Sequence, residues 1–410
     1  MSEEFDALKA FIESSTKDMV ELERILTAQK ALAPESGGDG ELAKVTVLEN
    51  YLKANGITRL ERLDAKDSRV SSGIRPNLIA TIPGNRDDYA IWLCAHLDVV
   101  PTGAMKLWES DPWTVVEKDG KIYGRGVEDN QQGLVSSVFA ALAFVRQHII
   151  PEHTIKLLFM ADEEFGSVYG MQYLVREHLD LFGRDDRILI PDGGDAKGET
   201  IEIAEKNIFW LRFRTLGRQA HGSRPDQGKN AALAASELAL KINGLEQVFN
   251  KRDSLFDPPY STFQPTMHEA NVSTVNIIPG EDVFYADCRI NPCYTIDEVR
   301  AEVRSRVKEI ETKYGVTIEV SEVQAESSLP TPQDAPVVRD LAKALKAVHG
   351  ISARCVGIGG GTVGAYLRNK GYNCVVWSTL DEMAHQPNEY AVIANIVKDA
   401  ETIAYMAARP

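Results

Sequence analysis

The chain has 410 residues, of which 44% are hydrophobic and 26% charged; this supports a sizeable core over two or three domains and excludes a disordered or fibrous protein. Its 60 acidic and 45 basic side chains leave a formal charge of −15, and no Lys/Arg-rich run offers a local basic patch, so nucleic acid is excluded as a partner. Cys94, Cys288, Cys293, Cys355 and Cys374 are scattered without a C-x-x-C pair, which argues against a disulfide framework or a thiolate zinc site.

Apolar residues at helical spacing (Phe5, Leu8, Phe11, Ile12, then Met19, Leu22, Ile25, Leu26) predict a helix from Glu4 to about Lys30, ended by the Pro, Ser, Gly and Asp of 33–40. A second helix, Glu41 to Ala54, stops at Asn55-Gly56. Strands are expected at Asn77 to Ile82 and Ala90 to Cys94, then a loop from Pro101 to Gly126, a helix from Gln131 to Gln147 and a strand from Thr154 to Met160. Such alternation indicates an α/β domain with a largely parallel sheet. The middle reads as strand Ile208 to Thr215, helix Ala231 to Ile242, strands Ser273 to Ile278 and Asp282 to Ile290, helix Ile296 to Tyr314 and strand Val316 to Val323. That β-α-β-β-α-β order is the layout of a ferredoxin-like domain. After a polar linker, α/β alternation resumes with a helix Val337 to His349, strands Arg354 to Ile358 and Asn373 to Trp377, and a last helix, Ile393 to Ala407. The expectation is a discontinuous catalytic domain, 1–206 and 324–410, interrupted by a small domain, 207–323. No apolar run approaches the roughly 18 residues of a membrane span, and the start, Met-Ser-Glu-Glu-Phe-Asp, is unlike a signal peptide. A cytoplasmic protein without membrane contact is expected.

Seven acidic or histidine residues, in five segments, stand where apolar strands give way to loops, the place where an open α/β sheet exposes ligand-binding groups. They are His96 and Asp98 in Leu93-Cys94-Ala95-His96-Leu97-Asp98, Asp129 after Gly124-Arg125-Gly126-Val127-Glu128, Glu163 and Glu164 in Ala161-Asp162-Glu163-Glu164, Asp192 after Leu189-Ile190-Pro191, and His385 in Ala384-His385-Gln386-Pro387-Asn388-Glu389. Imidazole and carboxylate donors of this kind suit a two-zinc site in which one carboxylate bridges ions about 3.5 Å apart and a free Glu moves the proton. The glycine run Gly359-Gly360-Gly361-Thr362-Val363-Gly364 competes as a dinucleotide fingerprint, with Asp381 about 20 residues on; it would make the protein a nucleotide-dependent oxidoreductase. It comes late in the chain and leaves the upstream carboxylates unexplained.

On these residues the chain resembles the co-catalytic zinc metallopeptidase family that includes succinyl-diaminopimelate desuccinylase, acetylornithine deacetylase, aminoacylase, carnosine dipeptidase and carboxypeptidase G. The resemblance implies a zinc-peptidase-like catalytic domain with an inserted lid and dimerisation domain. It also implies two divalent ions per chain, zinc first, with cobalt or manganese as alternatives. His96 and Asp192 would hold one ion, Glu164 and His385 the other, and Asp129 both. Asp98 would steady His96, and Glu163 would be the general base. His221, in Gly217-Arg218-Gln219-Ala220-His221-Gly222, is expected to polarise the scissile carbonyl, in many relatives from the opposite subunit of a lid-to-lid dimer. Asn276 and Arg289 match positions that bind a substrate carboxylate, and Gly360 lies in a segment whose backbone lines the substrate pocket. The implied activity is hydrolysis of an N-acyl amino acid or, alternatively, of a dipeptide. Asp at 192, where several deacylases carry Glu, and Asn at 130 depart from the deacylase pattern.

Overall fold

The computed structural model describes residues 2–408. The chain forms two compact units, one of Met1–Ile203, Thr331–Val356 and Tyr366–Pro410, the other of Ala204–Pro330 and Gly357–Ala365. The return to the first unit therefore comes at Thr331 rather than 324, and the glycine run belongs with the second unit.

The first unit is built on an eight-stranded sheet in the order Leu60–Arg62, Leu78–Ile82, His153–Met160, Arg86–His96, Arg187–Asp195, Cys374–Thr379, Thr200–Glu205 and Arg354–Ile358. The four strands from His153–Met160 to Cys374–Thr379 are mutually parallel, and antiparallel neighbours adjoin them on both sides. Parallel strands are covered on both faces and read as continuous apolar runs; Ala90 to His96 is accordingly buried at every position, while Arg86 to Asp88 project into solvent. The helix Gly133–Gln147 is buried from Gly133 to Phe144, as its apolar circumference demands. The first expected helix is two, Glu3–Ser14 and Thr16–Thr27. The hydroxyls of Ser14 and Ser15 both donate to the Phe11 carbonyl and that of Thr16 to the Glu13 carbonyl, and such bonds compete with the helical ladder. Among the described residues no helix is long and apolar enough to cross a membrane.

The second unit carries a four-stranded antiparallel sheet in the order Thr262–His268, Glu281–Ile290, Asn207–Leu216 and Thr317–Glu326, with helices Ala231–Asn243 and Ile296–Tyr314. Alternate residues Phe209, Leu211 and Phe213 pack with Phe284, Ala286, Cys288 and the apolar faces of both helices. Thr295 and Glu298 close a reciprocal capping box at the start of the second helix. The topology is ferredoxin-like, but its second strand is Thr262–His268 rather than Ser273 to Ile278, of which only Ile277–Ile278 is extended and pairs with Ala220–His221. Pro265 hid that strand; proline is tolerated there because the strand is an edge.

Candidate metal centre

Strand Arg86–His96 delivers His96 at its C-terminal end, where the ring is 1% exposed. His96 Nδ1 lies 3.0 Å from the Asp98 carbonyl and 3.5 Å from Asp98 Oδ1, so the backbone is its nearer acceptor. The Asp98 carboxylate instead accepts the backbone N–H groups of Glu163 (2.9 Å) and Glu164 (3.1 Å). It thereby ties the end of one parallel strand to the turn that follows its neighbour His153–Met160. The other imidazole nitrogen, His96 Nε2, faces Asp129 Oδ1 at 2.9 Å and Asp192 Oδ1 at 3.7 Å.

Asp129 has its second oxygen, Oδ2, 3.2 Å from His385 Nε2. One carboxylate thus stands between two imidazoles, and the far one also meets Glu164 Oε2 at 3.0 Å. Asn130 braces the opposite side: its Nδ2 donates to the Pro191 carbonyl (2.6 Å) and Asp192 Oδ1 (2.7 Å), while its Oδ1 accepts the His96 N–H at 3.2 Å. The same loop comes close to Pro191 because residue 133 is glycine; a Cβ there would sit 2.0 Å from the Pro191 carbonyl oxygen. Donor atoms of His96, Asp129 and Glu164 lie within 4.8 Å of one another, as do those of His96, Glu163 and Asp192. The cluster is closed at His96 and open at His385, whose side chain is 57% exposed, so access is from the His385 side.

Five carboxylates share this space with two imidazoles. Burial, followed by the charges of Asp192, Glu164 and Asp129, pushes Glu163 well above the ordinary carboxylate range. Burial likewise lifts Asp192 to about 7 and raises Glu164. For Asp129 and Asp98 burial is outweighed by hydrogen bonds from imidazole or backbone, and both are held low. His385, bonded to Asp129 and Glu164, rises to about 10. His96 rises too although burial opposes it, because Asp192, Asp129 and Asp98 surround it. The arrangement is short of positive charge. Its donors are imidazole nitrogens and carboxylate oxygens, and Glu164 Oε1 is buried without a hydrogen-bond partner among the described residues. Those features fit divalent cations of the zinc type.

His221, Asn276, Arg289 and Gly360 all lie in the second unit. His221 is exposed, and its Nδ1 accepts the Ser223 N–H at 3.2 Å, which leaves Nε2 to carry the proton in the neutral ring. Asn276 is its neighbour: the Asn276 carbonyl accepts the Gly222 N–H at 2.7 Å. Arg289 is already engaged, with Nε and Nη2 on Asp287 at 2.7 and 3.1 Å, Nη1 on the Gly359 carbonyl at 2.9 Å, and its plane 5.5 Å from the Trp210 ring. Among the described residues, two of its five N–H groups have no acceptor. A Cβ on Gly360 would meet nothing within 4 Å. The dinucleotide reading of this run fails: its strand ends the sheet order, and the helix that follows, Gly364–Arg368, has only 5 residues.

The sequence reading assigned nothing to Arg75, Glu41, Glu128 or Glu389, all buried close to the donors. Glu128 and Glu389 stand beside expected ligands in the motifs quoted above, which was a usable signal; Arg75 and Glu41 carried none.

Residues 92–409 match the profile of Peptidase family M20/M25/M40. An uncharacterized metallohydrolase of Methanocaldococcus jannaschii is 39% identical over 403 residues, covering 94% of this chain and 97% of that protein. Succinyl-diaminopimelate desuccinylase of Bordetella petrii is 26% identical over 340 residues, covering 82% and 87%. Among solved structures, human carnosine dipeptidase 1 shares the fold, with a TM-score of 0.73, 17% identity and 98% of each chain covered.

Proposed function

The chain belongs to peptidase family M20/M25/M40, and from that premise we propose that this metallohydrolase cleaves the amide bond of an N-acyl amino acid or short peptide with a free carboxylate. The observation that carries the reading is the position of Asp129, with one oxygen 2.9 Å from His96 and the other 3.2 Å from His385. His96 and Asp192 would hold one ion, Glu164 and His385 the second, and Asp129 both. Bound there, two divalent ions, zinc by the donor set or else cobalt or manganese, would polarise the scissile carbonyl and bring the pKa of an attacking water toward about 7.

Glu163 touches none of the imidazoles through a hydrogen bond given by the structure, and its raised pKa suits a base that takes the proton of the attacking water and returns it to the leaving amine. His221 Nε2–H is assigned to the carbonyl oxygen. Asn276 and the free N–H groups of Arg289 are assigned to the substrate carboxylate, with the backbone at Gly360 beside it. Leu233 and Leu240, seven apart on one helix, are 54% and 74% exposed; they support a homodimer through this unit, with His221 acting on the partner's substrate. Sedimentation of the active protein as a monomer would remove that assignment.

Asp at 192 favours a dipeptidase as the second reading. A panel of N-acyl amino acids and dipeptides, assayed with zinc, cobalt and manganese, separates the two. Glu163→Gln should lower kcat about 10²–10⁴-fold with metal content unchanged; full turnover by the metal-loaded variant would sink the mechanism.

A further inference from the structure

Asp129 and His385 sit on two loops, 124–130 and 380–389, and each loop carries a second acidic residue that grips the backbone of the other. From the first loop, Glu128 Oε1 accepts the Asp381 N–H at 2.8 Å, and Oε2 accepts the Met383 N–H. From the second, Glu389 Oε1 accepts the N–H groups of Glu128 (3.0 Å) and Asp129 (3.1 Å), while Oε2 accepts the Gly126 N–H (2.9 Å) and Arg125 Nη1 (2.7 Å). Glu128 is 4% exposed and Glu389 0%. Six donors thus converge on four carboxylate oxygens, and five of them are backbone N–H groups.

We propose that Glu128 and Glu389 are positioning residues, a reciprocal latch that fixes Asp129 and His385 at one separation and so sets the affinity of the ion those two residues share with Glu164. Two features argue for position over bulk stability. Buried carboxylates are a poor source of stability unless fully compensated, and among the described residues Arg125 is the one cation hydrogen-bonded to either. The bonds also land on the peptide groups that carry the donors: Asp129 N–H itself, and the N–H groups four and two residues before His385. A glutamine of the same shape could not replace either acid, because one of its two ends donates and would face N–H groups. The inference rests on Asp129 and His385 being ligands, as assigned above.

The test titrates zinc into the metal-free wild type, Glu389→Gln and Glu128→Gln against a chromophoric chelator, with the thermal midpoint of each metal-free protein measured alongside. The wild type should bind two ions. Glu128→Gln, whose contacts reach only the loop of His385, should keep one ion at wild-type affinity and bind the other about 10- to 100-fold more weakly, the usual cost of losing an outer partner of a metal ligand, whereas Glu389→Gln, which holds the Asp129 assigned to both ions, should weaken both. Should Glu389→Gln fail to fold, Glu128→Gln, which disturbs only the contacts to Asp381 and Met383, carries the test. Wild-type affinity at both sites in a folded variant, or equal weakening of both by Glu128→Gln, overturns the latch. A wild type that binds fewer than two ions overturns instead the two-ion assignment beneath it.

Discussion

Replacing Arg75 by methionine tests how the turn bearing Glu163 and Glu164 is held. Arg75 is 0% exposed and strands two buried acids when removed. Its Nε lies 2.8 Å from Glu41 Oε2, and its Nη2 bonds the other Glu41 oxygen and stands 3.2 Å from Asp162 Oδ1. Asp162 directly precedes Glu163; it adopts φ of 65°, and its Oδ2 accepts the Tyr169 N–H at 3.1 Å. The guanidinium is therefore the counterion of the residue that starts the turn carrying Glu163 and Glu164. Removing one partner of a buried pair costs about 3–5 kcal/mol, and each kcal/mol moves the midpoint of a domain this large by about 2–4 °C. Metal-free Arg75→Met should melt roughly 6–20 °C below the wild type by calorimetry. Burial already lifts Glu41 to about 7 and Asp162 to about 6. Without Arg75 both would hold protons more tightly when folded, so the loss should be greatest above neutral pH and shrink toward pH 5. The paired variant Arg75→Met/Glu41→Leu removes both charges and should regain at least half of the deficit. A single variant costing under about 1 kcal/mol, or a paired variant as unstable as the sum of the two singles, would refute the reasoning.

Asp399 is fully buried, with Oδ2 accepting from Ser378 Oγ and the Thr379 N–H, and burial pushes its carboxyl up to about 6. The folded protein then binds this proton more tightly than the unfolded chain. The contribution is fully present below about pH 3.8 and is lost as pH rises through about 6, some 3 kcal/mol in all. Asp399→Asn does not titrate, so denaturant unfolding should show the wild type losing about that much relative to the variant between pH 3.5 and 7; a flat difference would contradict the assignment. Arg289→Lys removes the planar fork that spans Asp287 and the Gly359 carbonyl. It should raise KM about tenfold, a loss of roughly 1.4 kcal/mol, with kcat nearly unchanged; an effect confined to kcat would remove Arg289 from carboxylate binding.

How much of the centre could be read from the chain follows from where each signal resides. His96 ends the apolar run of Ala90 to Ala95, Glu163 and Glu164 follow the strand His153–Met160, and Asp192 follows Ile188 to Ile190. Each is a charged or imidazole side chain just past a buried apolar run, although Asp192 still lies within the strand Arg187–Asp195, and both facts are local. The ferredoxin-like order was legible for the same reason, since Phe209, Leu211 and Phe213 alternate with outward neighbours. Burial of a charge leaves no such trace. Lys44 is 2% exposed and Glu23 0%, yet both sit in helices whose sequences read as ordinary amphipathic surfaces. Arg75 and Glu41 pair across 34 residues, and Glu389 reaches Asp129 across 260. A side chain announces its chemistry in the sequence, but its partner exists only in the fold. The donors of this centre could be found one at a time; the bonds that set the distances between them could not. Two ions would need those distances held, so Glu128 and Glu389, whose bonds across the two loops exist only in the fold, are where substitution should alter the metal centre while leaving every donor in place.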